Sequence, residues 1–331
     1  MLSFCVFGAG RIGKLHARNL AANPRARLAY VIDPVRAAAD ELARELGVRS
    51  GSDPAAALGD KSVDAVLIAS STNTHVDLIT ASARAGKAIL CEKPIDLDIA
   101  RVDACLGELA RHKVPLAVGF NRRFDPTNRA LHRAVRAGEI GTVHMVVISS
   151  RDPAPPPLDY VKVSGGQFRD MMIHDFDMAR WLLGEEPVEV VAKASCLVDP
   201  RIGAAGDVDT SMAILRTAGG ALCHINNSRR AVYGYDQRIE VFGDKGMLRT
   251  ENLRETALRR STAAMTEAQD VLLDFFLERY AQSYVNELDD FIEAVGAARS
   301  PMVSAEDGRR ALVLADAALH SHQTGATVRV G

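Results

Sequence analysis

Over the first 120 residues, short runs that are apolar along their whole length alternate with stretches in which apolar positions recur every three or four residues. The runs fall at 4–7, 28–32, 63–69, 88–91 and 116–118, and the helical stretches at 12–22, 35–46, 76–85 and 98–112. Strands that are apolar on both faces and separated by helices predict a parallel sheet covered on both sides. Beyond residue 140 the pattern changes. Strand-like segments at 143–149, 188–195, 210–216, 221–227, 238–241 and 247–249 follow one another, several joined by glycine turns. Such spacing predicts an antiparallel sheet, flanked by helices at 128–137, 167–183, 270–298 and 305–323. The expected fold is therefore α/β, with one domain over residues 1–120 and a second over 121–331.

Composition narrows the class without choosing a chemistry. A chain of 331 residues has room for two cores. Its formal charge of −2 gives no broad basic surface for nucleic acid. No apolar run approaches the ~20 residues that cross a bilayer, so no membrane partner is expected. Five scattered cysteines without a CxxC pair suit a reducing compartment. With strand-like residues beginning at Leu2 and no basic leader, a cytoplasmic protein is expected. The proline-rich patch Pro153-Ala154-Pro155-Pro156-Pro157 is expected to be an ordered loop or arm.

Candidate chemistry begins at Gly8-Ala9-Gly10-Arg11-Ile12-Gly13, between the first strand and the first helix. In that context a GxGxxG motif is a dinucleotide loop, because the helix N-terminus offers free N–H groups to a pyrophosphate. Asp33 stands at the end of the second strand, where a carboxylate accepts from ribose hydroxyls and repels a 2′-phosphate. NAD is expected over NADP, with Arg36 as the residue that can accommodate a phosphate. Ser70-Ser71-Thr72-Asn73-Thr74-His75 follows another strand, and its polar side chains either meet the cofactor or cap the next helix. Lys93, in Glu92-Lys93-Pro94, either bonds a substrate oxygen or pairs with Glu92 at the surface. On the helix expected at 167–183, Asp170, His174 and Asp177 form a stripe opposite an apolar face. That stripe is either an acid–base pair, with Asp170 holding His174, or an exposed ion pair. Asp175 falls among apolar positions. His16, His112, His132 and His144 are expected to be helix or surface residues without function, and no metal site is expected.

Together with Gly119-Phe120-Asn121-Arg122-Arg123-Phe124-Asp125, Gly165–Trp181 and the tail from Asp307, these motifs resemble the Gfo/Idh/MocA oxidoreductases, particularly their inositol dehydrogenases. The resemblance implies a Rossmann domain, then an α/β domain with a large, open-faced and mostly antiparallel sheet through which a homotetramer assembles. It implies Lys93, Asp170 and His174 as catalytic residues and a cis Lys93-Pro94 peptide. Cofactor contacts would come from Gly8, Gly10, Arg11, Ile12 and Asp33, from Ser70, Thr72, Asn73 and His75, and from Glu92, Lys93 and Arg122. Substrate would meet Lys93, Asn121, Asp152, Asp170, His174 and Tyr233, with Tyr235 close enough to compete for the last role. The expected activity is NAD-dependent oxidation of a cyclic polyol to its ketone. A sugar dehydrogenase of the same family is the alternative, and an NAD-sensing regulator lies outside it. One departure stands out: Ser150-Arg151-Asp152-Pro153 replaces a His-Arg-Asn-Pro pattern, which would change the groups facing the polyol.

Overall fold

The computed structural model describes residues 1–330. They divide into two compact units, Met1–Phe124 with Gln282–Leu312, and Asp125–Ala281 with the chain from Val313 onward. The first unit is built on strands β1 (Leu2–Phe7), β2 (Ala26–Ile32), β3 (Arg49–Gly51), β4 (Ala65–Ile68), β5 (Ala88–Cys91) and β6 (Leu116–Val118). Their order is β3-β2-β1-β4-β5-β6 and every pairing is parallel. The order reverses between β1 and β4, which opens a crevice at the carboxyl ends of these two strands. Strand β3 has no counterpart in the apolar pattern, because Arg49-Ser50-Gly51 is a polar edge strand.

The core of this unit joins Phe4, Val6, Val31, Leu67 and Leu90 to Leu288, Phe291 and Ile292 of the helix Ala281–Gly296. Phe4 and Phe291 stack at an angle with ring centroids 6.0 Å apart. The first crossing between units falls after Phe124, near the expected 120, but Gln282–Leu312 returns to the first unit. Leu288, Phe291 and Ile292 form an i, i+3, i+4 stripe that finds its apolar partner on the parallel sheet. The expected helix over 270–298 is shorter too. Residues ahead of it form a hairpin and a connection, in which Asp270 accepts from Thr256 and Arg260.

The second unit holds β7 (Val143–Arg151), β8 (Pro187–Ser195), β9 (Thr210–Thr217), β10 (Leu222–Ser228), β11 (Asp236–Gly243) and β12 (Gly246–Arg249). It also holds the hairpin of β13 (Arg259–Thr262) and β14 (Met265–Gln269), and a last short strand, β15 (Val328–Arg329). The large sheet runs β12-β11-β7-β10-β9-β8-β15. All its pairings are antiparallel except β7 with β10. One face buries Val146, Ile148, Leu215, Ile225 and Val241 with Met172, Phe176 and Leu182. The other face is open. Met247, Phe242, Met145 and Leu222 are successive cross-strand partners on it, and all four are exposed. Among the described residues no helix is long and apolar enough to cross a membrane.

The assignment of the helix Ala281–Gly296 has a direct test. Leu288→Ala removes a fully buried side chain from the first core and is expected to cost about 2–5 kcal/mol. Hydrogen exchange should show the lost protection in β1 and β4. Loss confined to β7–β12 would contradict the assignment.

Candidate active site

The glycine loop is shaped by two contacts with no space for a side chain. A Cβ on Gly8 (φ +104°) would lie 2.4 Å from the Ala69 carbonyl oxygen, and one on Gly13 would lie 1.9 Å from that of Gly8. Gly10 differs, for a Cβ there meets nothing within 4 Å. Internal packing thus explains two glycines and leaves the third as an open approach to the backbone at the start of the helix Arg11–Ala22. Arg11 is exposed and Ile12 half-buried in the first turn of that helix. This is the arrangement a pyrophosphate fits. Asp33 sits beside it. Its Oδ2 accepts from the Ala9 amide at 2.7 Å and its Oδ1 from the Val35 amide at 2.8 Å, so the carboxylate also holds the loop. Arg36 is turned to Asp40 (2.8 Å) and Ser50 (3.3 Å).

The chain leaving β4 makes a 3-10 turn over Thr72–Thr74, braced by the Ser70 and Thr74 hydroxyls at 2.7 Å. Asn73 is exposed and Thr72 half-buried. His75 does not share that exposure. It is 1% exposed, with Nδ1 2.8 Å from the Pro94 carbonyl and Nε2 3.1 Å from that of Ser70. The ring ties this loop to the turn after β5. Lys93 is half-buried on that turn, and the Lys93-Pro94 peptide is cis.

Glu92 also faces inward. Its Oε1 lies 2.9 Å from His16 Nε2, and its Oε2 accepts from the Lys93 amide at 3.3 Å. Glu92 thus clamps His16 to the start of the lysine turn. His16, expected to be idle, is its buried partner. Asn121 and Arg122 are buried in the turn Asn121–Phe124, where Asn121 Nδ2 donates to Ser283 Oγ at 3.0 Å.

In the second unit the helix expected at 167–183 is broken. One piece spans Gly166–Asp170 and the next Ile173–Leu183. At the break the amides of Met171 and Met172 both donate to the Gln167 carbonyl at 3.0 Å, the second across five residues. Such a widened turn adds a residue, so Asp170 and His174 are not one regular turn apart. Both are half-buried. Asp177 is fully buried 3.8 Å from Arg180 and leaves the expected polar stripe.

The surroundings of Asp170 were not legible from spacing. Tyr160 Oη donates to its Oδ1 at 2.8 Å, from the short helix Leu158–Val161 that follows the proline-rich loop. Arg229, 1% exposed, lies 3.6 Å from its Oδ2 and 3.2 Å from Asp207. Beneath His174, Asp175 is buried and accepts from Ser150 Oγ at 2.6 Å and from Asn227 Nδ2 at 2.7 Å. The departure at Ser150 therefore places a buried hydroxyl on Asp175. Asp152 is half-buried just beyond β7. Tyr233 lies on the turn between β10 and β11. Its hydroxyl bonds Arg151 and Asp236, whose side chains alternate with the core-facing Ser150 and Gln237 and so share the open face. Tyr235 is buried against Tyr280.

Residues 2–120 match the oxidoreductase family with an NAD-binding Rossmann fold, and residues 128–249 match the GFO/IDH/MocA C-terminal domain. The chain belongs to the GFO/IDH/MocA oxidoreductase family. It is 52% identical over 319 residues to an inositol 2-dehydrogenase of Rhizobium meliloti, covering 96% of each chain. It is 50% identical over 330 residues to a myo-inositol 2-dehydrogenase of Thermotoga maritima, covering 98% of this chain and 97% of the other. The crystal structure of scyllo-inositol dehydrogenase from Lactobacillus casei, with bound NAD(H) and scyllo-inositol, is similar at a TM-score of 0.92 and 30% identity, over 99% of both chains.

Burial lowers the pKa of His75 below its ordinary 6.5, and the two carbonyls offset this only in part. A lowered pKa means that the unfolded chain binds the proton first. Stability is therefore full above about pH 6.5 and falls as the pH drops toward the folded value. In urea titrations from pH 7.5 down to about 5, His75→Asn should flatten that decline. An unchanged slope would remove His75 as its source.

Proposed function

We propose that this protein oxidises a secondary hydroxyl of a cyclic polyol, myo- or scyllo-inositol, to the ketone. Near-full-length identity of about half with inositol 2-dehydrogenases carries the reading. NAD supplies the hydride acceptor when bound. His174 removes the hydroxyl proton. Asp170 orients the imidazole and offsets the charge it gains, while Tyr160 and Arg229 fix the carboxylate in place. Lys93 donates to the reacting oxygen and stabilises the charge developing there. Asn121, Arg122 and Asp152 border the substrate. NAD is preferred over NADP because Asp33 stands at the ribose position and Arg36 is engaged by Asp40 and Ser50.

The exposed row Met247, Phe242, Met145 and Leu222 supports assembly as a homotetramer through the open sheet, since monomers rarely expose contiguous apolar patches. The near-neutral charge and reduced cysteines support a cytoplasmic enzyme.

NADH formation tests the reading directly, with NAD and NADP offered against inositol isomers and aldoses. Activity on an inositol with NAD is expected. His174→Ala should lower kcat by about 10²–10⁴-fold, the scale of general-base catalysis, with NAD affinity unchanged. Activity confined to an aldose would replace the polyol by a sugar, and NAD binding without any turnover would favour a sensor. For the assembly, Phe242→Asp with Met145→Asp should shift the light-scattering mass from tetramer to smaller species. An unchanged mass would remove the open face as the interface.

A further inference from the structure

The helices Arg11–Ala22 and Ala281–Gly296 lie side by side within the first unit and touch at two levels. At one level the His16 ring meets Tyr284 edge-on, with centroids 5.5 Å apart. At the other, Asn23 Nδ2, at the end of the first helix, donates to Asp289 Oδ1 at 2.8 Å. The numbering rises in the same direction along both helices. Asn19 and Glu287, each three residues past the first contact, therefore stand at one level between the two.

That level is polar and enclosed. Glu287 is 2% exposed, and neither of its carboxyl oxygens has a protein partner. Asn19 Nδ2 and His16 Nδ1 are also buried without one. Most buried polar atoms in native proteins are satisfied, so four orphans on adjacent turns of this helix pair point to something that serves them together. No group of three or more His, Cys, Asp or Glu among the described residues is arranged to hold a metal ion. Water fits, because a buried water typically makes about three bonds to such groups.

We propose that Glu287, Asn19 and His16 bind internal water, and that this wet site positions Glu92 and, through it, Lys93. The bonds close in one direction. The Glu287 carboxyl donates to water, water donates to His16 Nδ1, and His16 Nε2 donates to Glu92 Oε1. Asn19 Nδ2 donates into the same water. The Glu92 carboxylate then receives the Lys93 amide, which fixes the turn that carries the lysine. The charged groups that act on Glu287 are Glu92 from the end of β5 and Asp290 on its own helix. Burial first, and then those two carboxylates, push its carboxyl well above the ordinary range, the direction that favours the donating form. The link to catalysis rests on the role proposed for Lys93. The water site itself does not.

The first test is a high-resolution crystal structure of the full chain. Ordered water within hydrogen-bond distance of Glu287, Asn19 and His16 is expected, and a dry gap would overturn the proposal whatever Lys93 does. The second is kinetic. Glu287→Leu should lower kcat about tenfold or more, since small misplacements of catalytic groups carry penalties of that order, with NAD affinity within about twofold of the parent. Glu287→Gln, which keeps a donor and an acceptor, should restore most of the loss. A purely structural role would move NAD affinity and stability together and would not separate Gln from Leu. If the Leu variant fails to fold, Asn19→Leu takes its place, and full activity there would remove the link to the lysine.

Discussion

The first turn of the helix Arg11–Ala22 rests on the end of β1 without an intervening side chain, since a Cβ on Gly13 would be 1.9 Å from the Gly8 carbonyl oxygen. Much of the first unit follows from that approach. It brings His16 one turn later into the interior, where it reaches Glu92 at the end of β5. It leaves the backbone at Gly10 uncovered and lets the Asp33 carboxylate reach the Ala9 amide. A methyl group at Gly13 would push the helix outward and disturb the loop, the acid and the lysine turn in one step. The glycine motif is therefore as much a packing device for the lysine as a cradle for phosphates.

The second unit depends on a different constraint, the pairing of charge inside a dry interior. Arg229 is almost fully enclosed between Asp170 and Asp207, and Asp207 in turn accepts from the Gln167 amide at the start of the broken helix. Removing one partner of a buried pair costs about 3–5 kcal/mol, a large share of the 5–15 kcal/mol that hold a domain together. A site built this way is stiff. Asp175, beneath His174, is held instead by neutral donors, with Ser150 and Asn227 tying the helix Ile173–Leu183 to β7 and β10. The two candidate catalytic residues of this unit thus stand on either side of a widened turn whose ends are both anchored.

What the sequence disclosed follows from how local each cause is. Fully apolar runs marked β1, β2, β4, β5 and β6, because a covered parallel strand needs no partner to be recognised. Arg49-Ser50-Gly51 carries no such mark. Lys93, Asp170 and His174 were legible as motifs, but the break at Met171 and Met172 was not, since it arises from a hydrogen bond across five residues that no projection at 100° contains. Arg229 reaches Asp170 from far along the chain and Tyr160 from across the irregular segment before it, and nothing in their neighbours announces either. His16 is the instructive case. Gly13, His16, Ala17 and Leu20 form the buried stripe of their helix, so the period that marked the helix also marked this histidine as interior. Its partner is what the local pattern hides, since Glu92 lies 76 positions away.

The placement of polar groups also suggests how such a protein can change substrate without rebuilding itself. The cofactor loop and the lysine turn are held by contacts within the parallel sheet and its helices, so changes there strike packing as well as chemistry. Asp152 and the segment through Tyr160 hang from the end of β7, outside both cores, with Tyr160 itself nearly half exposed. Substitutions along that segment leave Arg229, Asp207 and the buried Asp175 in place, so on the proposed function it is the segment freest to vary toward different polyols. Ser150 shows the limit of this freedom. It sits two residues from Asp152, yet its hydroxyl serves Asp175 in the core. A larger ring there must either find the same hydrogen bond or displace the strand, so specificity can vary on one side of the β7 terminus and is constrained on the other.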